Sequence, residues 1–167
     1  MKFLVTIGLA LLLLTLESVV VQQLGLAISR IDVTVVLVAF LAVRANTLEG
    51  AVSSFSVGYL LDLMSGQPTG LFTFLAVFTF LVGKLVVSLV EVRSRAAFVL
   101  FAMGADAGHG MLASFFTWLT TKEGSLALLP GLPLQVTLTG IAAVFLYPLL
   151  RRFEASQDRS SSAGLLR

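Results

Sequence analysis

The residues of this chain with the most chemical potential are ionisable side chains inside apolar segments: Glu17, Asp62, Lys84, Asp106 and His109. A charge at the centre of a membrane helix costs about 2.5 to 3.5 kcal/mol on insertion scales, so each of these groups should face a bundle interior, water or another polar group. At ~1.5 Å of rise per residue, Lys84 lies roughly 10 Å and Asp106 roughly 15 Å from the inner ends of their helices. A short connection between those helices allows the two to meet, and His109, three residues beyond Asp106, shares its face. The trio Lys84, Asp106 and His109 reads first as a buried polar network that fixes helix register. The second reading is a proton or solute site, for which one lysine, one acid and one histidine are few groups. By the same count Glu17 and Asp62 lie about 6 Å and 5 Å from the outer end and are expected to be wetted from outside.

Catalytic chemistry finds little support. The chain has one histidine, His109, and Ser114 is about 140° away around the same helix. Ser53, Ser54 and Ser56 on another helix remain open as partners, but no nucleophile, base and oxyanion hole are evident together. There is no cysteine, no metal-ligand spacing, and the glycines of 104–110 precede no phosphate-loop lysine. Neither an enzyme nor a cofactor or metal is expected.

The elements that must position these groups are set by composition. Of 167 residues, 57% are hydrophobic and 12% charged, and the mean hydropathy is +1.01. A soluble domain carries about twice that charged fraction, so the solvent is lipid. At about 20 residues per crossing, the length accommodates five or six spans and no sizeable domain in water. A net charge of +2 gives no reason to expect nucleic acid.

Six spans are expected, over residues 3–21, 24–43, 50–64, 71–90, 96–121 and 134–150, forming an all-α transmembrane domain over 1–152. The first run resembles a signal peptide in part, but no small-x-small cleavage site comes after it, which favours an uncleaved helix. The second is interrupted by Arg30 and Asp32. It either includes Arg30 by snorkelling or is thin and partly interfacial, with Asp32 a suitable N-cap for the helix beginning at Val33. Arg151 and Arg152 are expected to stop the sixth, leaving 153–167 as a disordered cytoplasmic tail. Six spans with both ends inside put Lys2, Arg44, Arg93, Arg95, Arg151, Arg152, Arg159 and Arg167 on the inner side, against Arg30 and Lys122 outside. That is the positive-inside bias.

Small residues four apart, Gly50-Ser54-Gly58 and Gly104-Gly108, form helix-packing stripes. They serve either packing within the bundle, the favoured reading, or docking of a partner's helix. Trp118 and Tyr147 read as interfacial anchors.

Residues 49–74, EGAVSSFSVGYLLDLMSGQPTGLFTF, resemble the signature of the MreD family of bacterial rod shape-determining membrane proteins. The likeness rests on a small-residue helix, Gly58 and Asp62 as G-x-x-x-D, a Ser-Gly-x-Pro turn, then Gly70 and a long apolar helix. It extends to length and helix number, and departs at Ile31, where proline would be expected before the acid. The resemblance implies a multi-pass protein of the bacterial cytoplasmic (inner) membrane, built like the S components of energy-coupling-factor transporters. It also implies a non-catalytic role in cell-wall elongation, with MreC as direct partner and MreB filaments and the glycan polymerase and transpeptidase reached through it. Asp62, Ser65, Gly66, Gln67, Pro68 and Gly70 are the expected partner or turn surface, with a tight turn serving backbone needs alone as the equal alternative. The competing function is a solute-binding subunit of a vitamin transporter, with a cavity lined by Glu17, Asp62 and Gln67.

Overall fold

A computed structural model describes residues 8, 11–13, 15, 32–65, 70–120 and 131–164. Among these the only regular structure is helix: α1 (Val33–Arg44), α2 (Thr47–Ser65), α3 (Leu71–Leu89), α4 (Arg95–Thr120) and α5 (Leu132–Gly164). The described residues before Asp32 are also helical. Most of the expected first span, with Glu17, the entry to the second with Arg30, and Lys122 in the last connection lie outside the described residues.

The short second segment forms the centre of the described bundle; Arg30, on which the snorkelling reading turned, lies outside the described residues. Its 12 residues make about 18 Å of helix against a hydrocarbon core near 30 Å. Every residue from 34 to 42 is buried, and α1 packs against each of α2 to α5. A helix apolar all round is stable when protein covers it on every side, which explains how so short an apolar helix persists here. Asp32 caps it, with Oδ1 accepting from the Val35 N–H at 3.0 Å.

Around α1 the remaining helices pack in chain order, α2 against α3, α3 against α4 and α4 against α5. One core layer joins α1, α4 and α5 through Phe40, Phe98 and Tyr147, with ring centroids 6.1 Å and 4.9 Å apart. Tyr147 is therefore a core residue, not an interfacial anchor, whereas Trp118 is about half exposed. A second layer joins α1 and α3 through Val38, Leu41, Ala42, Ala76 and Phe80.

The outer surface is apolar as well. Leu48, Val52, Phe55, Tyr59 and Leu63 form an exposed stripe on α2, and Leu81, Leu85 and Leu89 are exposed on α3. In water such a surface would drive aggregation; against lipid tails it is the natural boundary. Among the described residues, three helical segments, Leu71–Leu89, Arg95–Phe116 and Leu132–Phe153, are long and apolar enough to cross a membrane.

α5 runs through Arg151 and Arg152 to Gly164, where the composition suggested a stop and a disordered tail. Charge alone does not end a helix, and no glycine or proline interrupts the run between Pro148 and Gly164. Pro148 lies inside the helix and has no N–H for the carbonyl of Val144, four residues earlier. The Arg95 guanidinium donates to that freed carbonyl from the start of α4. This bond ties the basic end of α4 to α5.

Candidate functional site

The α2–α3 hairpin contains the residues of the 49–74 signature. Gly70 is the N-cap of α3, has φ 106° and supplies no side-chain cap; the left-handed backbone suits glycine. The first N–H groups of α3 therefore need an acceptor from elsewhere. Asp62 provides it from α2: Oδ1 accepts from the Phe72 N–H at 3.0 Å and Oδ2 from the Thr73 N–H at 2.9 Å. The Thr73 hydroxyl also donates to Oδ2. These amides occupy the N2 and N3 positions that a conventional capping side chain would serve, and the helix dipole favours a carboxylate there.

One turn earlier, a Cβ on Gly58 would fall 2.7 Å from Thr73 Cα and 2.8 Å from the Phe72 carbonyl oxygen. The G-x-x-x-D spacing thus combines a close helix approach with the cap that the approach makes possible. Asp62, expected near outside water as part of a partner surface, is instead buried, with 2% of its surface exposed. Of the other expected turn residues, Ser65 ends α2, Gly70 begins the approach to α3, and Gly66, Gln67 and Pro68 lie outside the described residues. The solute cavity expected from Glu17, Asp62 and Gln67 loses Asp62 to this cap, and the other two lie outside the described residues.

The small-residue stripes differ. Gly50, Ser54 and Gly58 are buried, and a Cβ on Gly50 would meet the Phe80 ring. Gly104 and Gly108 instead lie on the outer face of α4, where a Cβ would meet nothing within 4 Å. They do not pack within the bundle among the described residues. Leu100, Met111 and Phe115 continue the same exposed face.

The interior polar cluster also differs from the expected trio. Asp106 and His109 belong to it, but Lys84 does not: its Nζ donates to the Ala45 carbonyl oxygen at 2.6 Å. Ala45 is the C-cap of α1, so the ammonium satisfies a terminal carbonyl and complements the negative end of the helix dipole. Estimates of depth along each helix could not reveal that α1 would end beside Lys84.

The groups that do meet Asp106 and His109 come from three other parts of the fold. Gln135 Nε2 donates to Asp106 Oδ1 at 3.0 Å. Thr79 Oγ1 lies 3.1 Å from His109 Nδ1, and His109 Nε2 is 3.9 Å from Asp32 Oδ2. The Asp32 N–H donates to Thr139 Oγ1 at 3.2 Å. Thr79, Gln135 and Thr139 were missed by attention to charge, although Gln135 and Thr139, four apart in the uncharged first half of α5, mark one polar face.

Because Lys84 and Asp106 have different partners, their substitutions should act independently. Lys84→Met is expected to lower stability by about 1 kcal/mol through the lost helix-end interaction. With Asp106→Leu added, the effects should sum to within about 0.5 kcal/mol. Unfolding of the four forms in mixed micelles measures this; a coupling well above that value would restore the pairing.

No family model, curated protein or solved structure matches this chain.

Proposed function

We propose that the chain is a non-catalytic scaffold for bacterial cell-wall elongation and rod shape, of the kind its 49–74 signature resembles. In this reading six spans cross the cytoplasmic membrane with both ends inside. The basic residues near the α1–α2 and α3–α4 connections and in α5 anchor the inner side. The chain acts by association: the open face of α4 receives the transmembrane helix of a single-span, MreC-like partner. That partner links MreB filaments on one side to the glycan polymerase and transpeptidase on the other.

The observation that carries this reading is the Gly104–Gly108 stripe, where added Cβ atoms would meet nothing within 4 Å. Helix association in lipid depends on close packing and favours small residues that let backbones approach. A glycine pair on the outer face also lowers helix propensity, by about 1 kcal/mol per glycine relative to alanine. A partner helix gives that pair a use that lipid does not.

The test is Gly104→Leu combined with Gly108→Leu. The side chains have room, so the chain should retain its helix content and unfolding midpoint. Co-purification of the single-span partner in mild detergent should fall by about tenfold or more, equivalent to ~1.4 kcal/mol. Undiminished co-purification of that partner would reject the docking face. Co-purification of ATP-binding cassette subunits with a retained small molecule would reject the scaffold.

A further inference from the structure

Asp106 sits about 16 Å along α4 at ~1.5 Å per residue, in a segment long and apolar enough to cross a membrane, with none of its surface exposed. Oδ1 accepts from Gln135, but Oδ2 has no hydrogen-bond partner. A buried carboxylate oxygen without a donor is an arrangement that folded proteins rarely retain without a further bound group.

The surroundings leave a charge unanswered. The elements packed on α4 are α1, α3 and α5. Asp32, at the entry to α1, brings a second carboxylate, held to this face of α5 by its N–H bond to Thr139. α3 brings Thr79, while its lysine, Lys84, is directed to the Ala45 carbonyl. α5 brings Gln135 and Thr139, neither of which titrates. On α4 itself the ionisable neighbour is His109, facing Asp32 at 3.9 Å. Among the described residues, two carboxylates thus face one imidazole. Even a fully charged imidazolium leaves the ionised cluster one positive charge short, and a neutral one leaves it two short.

We propose that this cluster is an intramembrane proton-binding site, with the proton held on Oδ2 of Asp106. A proton supplies the missing charge without a coordination shell, and among the described residues Asp, His and Glu side chains form no metal-ligand set here. It also converts Oδ2 from an acceptor into an O–H donor. The Thr139 hydroxyl oxygen, one turn from Gln135 on α5 and accepting from the Asp32 N–H, has a second lone pair to receive it. The bound proton thereby joins α4 to α5 and to the start of α1. The site stands independently of what docks on the outer face of α4.

Infrared spectroscopy of the full chain in lipid nanodiscs tests this. At mildly acidic pH the wild type should show a carboxylic-acid carbonyl band, moved by aspartate carrying ¹³C in its side-chain carboxyl and titrated away at alkaline pH. The band should vanish in Asp106→Asn, shift in Asp106→Glu and persist in Glu91→Gln, whose side chain is exposed. The isotope and Asp106→Glu measurements decide the matter should Asp106→Asn fail to fold. No isotope-sensitive acid band, or one unaltered by Asp106→Glu, would overturn the proposal. So would a band abolished by exchanging choline for sodium at constant pH, since a metal ion would then occupy the site.

Discussion

Replacing Gly58 with alanine is expected to destabilise the bundle by about 3 kcal/mol or more, although alanine is the better helix former by about 1 kcal/mol. The new Cβ would lie 2.7 Å from Thr73 Cα, 2.8 Å from the Phe72 carbonyl oxygen and 2.9 Å from Ala76 Cβ. Two of these atoms belong to the backbone of α3, so no rotamer change relieves the overlap and the helices must separate. Separation draws Asp62 away from the amides that it caps, adding lost hydrogen bonds to lost packing. Gly104→Ala is the matched control: with open space around it, it should leave stability unchanged or raise it by up to about 1 kcal/mol. Unfolding of both variants in mixed micelles measures the contrast. Equal effects at the two glycines would remove the close α2–α3 approach from the account.

Asp62→Ala should have an effect of similar size, about 3 to 5 kcal/mol, by a different route. Two backbone N–H groups and the Thr73 hydroxyl lose a charged acceptor at once, and hydrogen bonds to charged groups contribute about 1.5 to 3 kcal/mol each. Asp62 is buried, so water cannot readily take its place. Asp62→Asn retains one acceptor oxygen and should lose roughly half as much. The distinguishing readout is local: amide hydrogen exchange at Phe72 and Thr73 should accelerate in Asp62→Ala, while amides in the middle of α4 change only with global stability. Unchanged protection at both amides would show that α3 is capped by another group.

These substitutions also mark how far the sequence could be read. Helical spans were legible because long apolar runs have one stable arrangement in lipid, and observed α3 and α4 agree with expectation to within a residue at each end. The end of α5 was not legible, because Arg151 and Arg152 indicate where a helix leaves lipid, not where its hydrogen bonding ceases. The status of α1 was hidden for a related reason: hydropathy distinguishes apolar from polar surroundings but not lipid from packed protein. Among candidate site residues, Asp106 and His109 were recognisable from the rarity of ionisable groups inside spans. Their partners Asp32, Thr79, Gln135 and Thr139 depended on which helices became neighbours, which spacing within one helix cannot reveal. The two glycine stripes look alike in sequence and diverge only in the fold, where one is filled by α3 and the other faces outward.

The central claim is that this outward stripe receives a partner's helix. The chain contains no cysteine, so single substitutions Gly104→Cys, Gly108→Cys and, as control, Leu85→Cys on the exposed face of α3 provide unique cross-linking positions. The decisive measurement is cross-linking in native membranes to a single-span partner carrying one cysteine in its transmembrane helix. Strong cross-linking from positions 104 and 108 with little from 85 is the expected result; equal yields from all three, or none from 104 and 108, would contradict the account.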